Sequence, residues 1–367
     1  MEHVLGTLPP ETLLLILRDV VIFMAASLCL LMGVLVLQKL GVERRDRLEE
    51  TICAQLRRGR DVPEATAYGD DPRAWERVPP RVLARALARQ AYAPDTLLQD
   101  RETGPAPRLI ARLEPELRHR HWGRRATAWE ALSALRVSGL RARLLRAARD
   151  EPDERVYAAQ LRAAAALTGS AGDLDELASA LRAGPSLSRT FVDAVLRLAF
   201  GQIAVRLGEA ATARIVGTLL DTLKPTDPLL ADALGAASAL HVPSAAERAD
   251  QLLADLELPA SLRLTCLRTI GRLHDEHPRL IEAARDADWK SRAIAASHLG
   301  GRSPGSLAAL IGLLQDRDFH VRRNAATSLA ASGQDGLRAM RDIAELGDDY
   351  ASAAAGNALR AREMHRA

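Results

Sequence analysis

Apolar and polar positions along most of this chain recur with the period of a helix, and in several places they recur in the same order. Trp122 is followed by Arg125 three residues on, by Trp129 at seven and by Leu132 at ten. Trp289, Arg292, Ala296 and Leu299 repeat that spacing, and so do Phe319, Arg322, Ala326 and Leu329. Arg263, Leu267 and Ile270 form a copy without the aromatic. Positions seven and ten share one helical face and predict burial against neighbouring helices. Arg263, Arg292 and Arg322 lie 29 and 30 residues apart. A helical repeat of that length predicts stacked helix pairs, a solenoid, and solenoids use their long surface to hold other molecules.

The same periodicity places the other elements. Val42 to Arg60 predicts a helix with Leu48, Ile52 and Leu56 on one stripe, and Pro and Gly punctuate residues 61–80. Arg81 to Ala91 predicts a further helix, and residues 94–107 break it. From about Leu109 the pattern alternates helix and short turn. Arg155 falls 30 residues after Arg125 but with its apolar positions slipped. The signature weakens over 170–260, where Gly184-Pro185, Lys224-Pro225 and Val242-Pro243 interrupt it, and is most regular over 261–340. The tail keeps an aromatic, Tyr350, but carries Ala353 where Arg is expected, as suits a capping repeat with no further neighbour. Trp122, Trp129, Trp289 and Phe319, locked to the repeat, are expected to pack at helix starts, with exposed binding anchors as the alternative.

Composition agrees with an all-α chain. It is rich in Ala, Leu and Arg and only 3% aromatic, so its helices must approach closely through small side chains. A formal net charge of +3 excludes a polycation. Cys29, Cys53 and Cys266 are too few and scattered for a disulfide framework or a zinc site.

One segment belongs to a different solvent. Residues 20–37 are an uninterrupted uncharged run of 18 residues, about 27 Å of helix, which matches the hydrocarbon thickness of a bilayer. No basic region precedes it and no small-residue cleavage site follows, so a retained span is expected rather than a signal peptide. Lys39, Arg44, Arg45 and Arg47 follow it, whereas Arg18 stands among Glu2, Glu11 and Asp19 before it. The positive-inside rule then puts the C-terminal body in the cytoplasm and residues 1–19 outside. Ala25, Cys29 and Gly33 form a small-residue stripe suited to close transmembrane helix packing.

The stretch Phe319-His-Val321-Arg322-Arg-Asn-Ala-Ala326, preceded by Leu-Leu-Gln-Asp316, resembles the HEAT repeat. The resemblance runs over roughly 109–360 and implies a solenoid whose second helices line the concave face. It also implies that Asp286, Asp288, Arg292, Asp316, Asp318 and Arg322 form a structural Asp–Arg ladder. With the span and the basic helix after it, the chain is similar to bacterial single-span membrane-anchored HEAT proteins, which accompany membrane glycosyltransferases. The expected organisation is an external N-terminus (1–19), a transmembrane helix (20–37), juxtamembrane helices and linker (38–108), and a HEAT solenoid with a C-terminal cap (109–367).

Candidate chemistry is sparse. Residues 101–149 hold 12 Arg against 4 Glu, a basic region suited to an acidic protein or anionic lipid. Trp122, Arg124, Arg125, Arg323 and Asn324 are the candidate partner-binding residues. His119/His121 and His274/His277 lack the spacing of a metal site, and Gly300 to Gly305 lacks the Lys of a phosphate loop. No catalytic residues, cofactor, metal, nucleic acid or small-molecule substrate are expected. The expected function is a non-enzymatic scaffold or regulatory subunit at the cytoplasmic face of the bacterial inner membrane, binding a membrane-associated protein, for which the resemblance suggests a polysaccharide-synthesising glycosyltransferase. A lyase-like HEAT enzyme and an anionic-lipid-binding structural protein are the alternatives.

Overall fold

The computed structural model describes residues 78–91, 106–135, 139–346 and 349–364, with Lys39, Asp46 and Glu50. Residues 20–37, with the proposed packing stripe of Ala25, Cys29 and Gly33, lie outside the described residues. So do the N-terminus and most of the juxtamembrane region. Among the described residues no helix is long and apolar enough to cross a membrane, and none is a strand. The chain divides into two units between Leu135 and Arg136.

In the first unit, α1 (Pro80–Ala91), α2 (Ala106–Leu117) and α3 (Trp122–Ala134) pack on one another. Leu83, Leu87, Leu113 and Leu132 form their dry centre. Arg112 ties α2 to the approach of α1 by donating to the Val78 carbonyl at 2.5 Å.

The second unit is an alternation of fourteen described helices. They are α4 (Leu140–Arg149), α5 (Glu154–Ala166), α6 (Ala171–Ala183), α7 (Arg189–Leu207), α8 (Glu209–Thr222), α9 (Pro228–Ala239) and α10 (Ser244–Leu253). There follow α11 (Ala260–Leu273), α12 (Pro278–Ala283), α13 (Trp289–His298), α14 (Pro304–Leu314), α15 (Phe319–Ala331), α16 (Gln334–Leu346) and α17 (Asp349–Met364). The odd-numbered helices from α5 to α17 each pack on the next odd helix, giving an unbroken row of seven. The even helices lie behind that row and touch one another more sparsely.

The letters at each helix start explain the turns. Asp153, Ser170, Ser188, Asp227, Asp288, Ser303 and Asp318 all accept an N–H of the first turn through their side chains. Such caps satisfy donors that the helix cannot satisfy itself. Pro228, Pro278 and Pro304 sit at first helical positions, where their missing N–H costs nothing. Alanine makes the close row feasible: Ala163 to Ala165, Ala236, Ala237, Ala295, Ala325 and Ala355 are fully buried. Where even a methyl group is too large, glycine stands. A Cβ on Gly271 of α11 would meet the His298 ring of α13 at 2.4 Å.

Candidate interaction surface

The repeated Arg is a turn clamp. Arg292 donates through Nη1 to the carbonyls of Asp286 and Ala287, both at 2.9 Å, and Arg322 donates likewise to Asp316 at 2.6 Å. In the first unit Arg125 does the same with the His119 carbonyl at 2.9 Å. Each lies four residues after its helix cap and reaches the carbonyl six residues back. At the corresponding place in α5, four after Asp153, stands Tyr157, whose hydroxyl donates to the Ala180 carbonyl at 2.8 Å. Arg155 is not the equivalent residue: it pairs with its own cap, Asp153, at 3.0 Å.

The ladder acids divide by role. Asp316 holds Arg292 of the preceding repeat in a two-pronged pair, 2.6 Å to Nε and 3.0 Å to Nη2, with both side chains about one-tenth exposed. Burial alone would raise the Asp316 pKa, but the Arg292 hydrogen bonds, the Asp318 N–H and the charges of Arg292 and Arg317 bring it below the ordinary value. Asp288 and Asp318 instead cap α13 and α15, accepting from Lys290 at 3.0 Å and His320 at 2.8 Å. Asp286 accepts the Asp288 N–H at 2.9 Å. Arg322 meets a ring: its guanidinium lies 5.0 Å from the centre of Tyr350.

Several candidate partner-binding side chains are engaged within the fold. Arg124 grips the buried Glu116 through Nε at 2.5 Å and through Nη2, and its hydrogen bond, foremost, holds the Glu116 carboxyl below its usual range. Asn324 donates to the Ala293 carbonyl at 3.0 Å and Ser328 to Ala296 at 2.6 Å, both tying α15 to α13. Asn324→Ala is therefore expected to lower stability by about 1 kcal/mol in a urea melt, whereas Arg323→Ala, at an exposed position, leaves it unchanged. Trp122 is 38% exposed and stacks on His121.

Of the aromatics expected to pack, Trp129 is in the core, but Trp289 and Phe319 are exposed, as is Tyr350. The reason is direction. Helical side chains lean toward the N-terminus, so a residue in the first turn projects over the turn and away from the row.

Two surfaces of the second unit remain open. Aligning Arg263, Arg292 and Arg322 puts Arg268 and Arg272 of α11, Ser297 of α13, and Arg323 and Thr327 of α15 on one outward stripe of the odd row. All five are exposed. Burial, followed by the charges of Arg272 and Arg268, lowers the pKa of His298 on the adjoining helix. The i, i+4 pair Arg268/Arg272 is the sequence signal for this stripe. The second open surface is the edge at which the odd helices begin.

The remaining motifs are structural. His277 caps α12, accepting the Arg279 N–H at 3.2 Å, and His119 meets Arg124 at 2.8 Å. Glu276 fastens the glycine-rich turn by accepting the Arg302 N–H at 2.9 Å and the Ser303 N–H at 3.2 Å. Cys266 is fully buried, and burial pushes its thiol up to about 12. Among the described residues no cluster of His, Cys, Asp and Glu is arranged to hold a metal.

Stacked helix pairs with capped, clamped turns define a helical-repeat protein. Residues 277–360, from α12 to α17, match the family model of HEAT repeats, so over this stretch the chain is similar to that family. No curated protein matches the chain.

Proposed function

We propose that this protein is a non-enzymatic scaffold that captures a membrane-associated protein on the open face of its odd helix row. Residues 20–37 would anchor it in the bacterial inner membrane with the solenoid in the cytoplasm. The observation that carries this reading is the exposed stripe of Arg268 and Arg272 on α11, Ser297 on α13 and Arg323 on α15. A row offering guanidinium groups on either side of a small polar residue suits an acidic surface on a folded partner, because Arg pairs with carboxylates in a two-pronged geometry. HEAT repeats themselves support a scaffold for protein interaction. The span and its flanking charges support the membrane location, and the likeness noted in the sequence supports a polysaccharide-synthesising glycosyltransferase as the partner.

A photo-crosslinking residue placed at Thr327 tests it in intact membranes. The wild-type background should give one dominant adduct with a membrane protein. Arg268→Glu with Arg272→Glu and Arg323→Glu should remove that adduct while the melting temperature holds. An adduct of undiminished intensity in the triple variant would overturn the assignment of this face.

A further inference from the structure

The edge where the odd helices begin has a chemistry unlike that of the open face. Leu256, in the turn before α11, is 90% exposed; Trp289, Phe319 and Tyr350, in the first turns of α13, α15 and α17, are 41%, 59% and 70% exposed. Three consecutive odd helices therefore each present one large aromatic side chain at the same edge. A single exposed apolar residue needs no explanation, but a line of three on successive repeats does. The rings are linked: His320 lies 5.9 Å from the Trp289 ring and 5.6 Å from that of Phe319.

Charge on this edge is sorted by depth. Asp286, Asp288, Asp316 and Asp318 are drawn inward by the helix caps and by Arg292. Arg285, Lys290 and Arg317, from the same two turns, stay exposed. Lys290 also lies 6.0 Å from the centre of the Trp289 ring. At the turns before α13 and α15 the outermost layer is thus aromatic and cationic with the acids beneath it, whereas Leu256 stands between Asp255 and Glu257, both exposed.

Shape selects among partners for such a layer. A peptide needs a groove, and two clefts among the described residues open away from this edge. One of about 740 Å³ lies among Leu187, Val192, Lys224 and Asp232, and one of about 440 Å³ beside His241. Here the apolar groups project from turns. Protruding rings beside Arg and Lys match the boundary of an anionic bilayer, where amphipathic aromatics and bases partition together.

We propose that this edge seats on an anionic lipid surface. Trp289, Phe319 and Tyr350 enter the headgroup layer, while Arg285, Lys290 and Arg317 pair with lipid phosphates, and Leu256 in the turn before α11 lies close to the bilayer surface. The contact does not depend on residues 20–37: a span would bring the edge to the bilayer, and the edge would fix how the solenoid lies on it.

The test uses the full chain with Cys29 and Cys53 replaced by Ser, since the buried Cys266 escapes labelling. An environment-sensitive dye is attached at Leu256→Cys, or at Val205→Cys near the far end of α7 as a control. The protein is combined with vesicles carrying brominated acyl chains, made with or without phosphatidylglycerol. Quenching is expected at position 256 but not at 205, only with phosphatidylglycerol present. It should fall to the control level in Arg285→Glu with Lys290→Glu and Arg317→Glu, and in Trp289→Ala with Phe319→Ala. Equal quenching at both positions, none at 256, or none lost on charge reversal would overturn the proposal. So would a dye at 256 that is shielded in native membranes by a crosslinked protein rather than quenched by lipid. If an alkaline wash strips the chain from the vesicles, the anchor fails, and quenching at 256 still decides the edge.

Discussion

Asp316→Ala is expected to lower the unfolding free energy by about 3–4 kcal/mol, because it strands the Arg292 guanidinium in a largely buried site. For a unit of this size that corresponds to a fall of roughly 10 °C in melting temperature. The loss has two parts. The Arg292 charge loses both carboxylate oxygens, and the Asp318 N–H loses its acceptor at 2.8 Å. Arg292 keeps the carbonyls of Asp286 and Ala287, so the turn itself should survive. Replacing both partners, as Asp316→Ala with Arg292→Met, should cost less than the sum of the two single changes, since no buried charge is then left alone. Arg317→Ala, one residue away but exposed, should be near neutral.

The pH dependence has a definite sign. The Asp316 pKa is lower in the folded chain than its ordinary value of 3.8. A depressed carboxylate pKa contributes stability that is present above the unfolded value and is lost as pH falls through the folded one. Wild-type stability should therefore decline below about pH 4 more steeply than that of Asp316→Ala, the two curves converging in acid. Parallel curves from pH 7 to pH 2 would show that the pair contributes nothing.

That pair also shows what could be read from the letters. The repeat length, the helix alternation and the placing of Asp and Arg at the turns were all visible, because a clamp requires a particular donor at a particular spacing. The division of labour among the acids was not. Asp286, Asp288, Asp316 and Asp318 look alike in sequence, yet which one faces Arg292 depends on how the neighbouring repeat is set down. Tyr157 was missed for a related reason: it fills the clamp position with a different donor, and Arg155 nearby carried the expected letter. Exposure of Trp289 and Phe319 was misjudged because regular spacing is shared by core positions and by positions over a turn. Only the backward lean of helical side chains separates them. Arg323 and Asn324 are adjacent and both polar, but a helix turns about 100° per residue, which points one to solvent and the other to the Ala293 carbonyl.

The middle of the array is the place to ask whether the second unit is one cooperative body, and Phe200→Ala is the change to make. Phe200 has no exposure and is the largest fully buried side chain among the described residues. It lies in α7, which packs on α5, α8 and α9. The sequence signature was weakest here because this part of the row has no Arg clamp: Val192 and Ala231 stand four residues after the caps Ser188 and Asp227. Apolar packing bears the load, through Leu196, Ala199, Phe200 and Ile203 on α7 and Leu230, Ala233 and Leu234 on α9. Removing the ring should cost about 3–5 kcal/mol. Phe200 already borders the roughly 440 Å³ cleft beside His241, so the new void would open into it. In a linear array, stability is close to a sum of repeat and interface contributions, and a weakened central interface separates what lies on either side. Native-state hydrogen exchange should show the amides of α4 to α6 losing protection in Phe200→Ala, while α13 and α15, held by the Arg292–Asp316 pair, retain theirs. A uniform loss across α4 to α17 would instead mean that the row unfolds as a single unit despite its weakest joint.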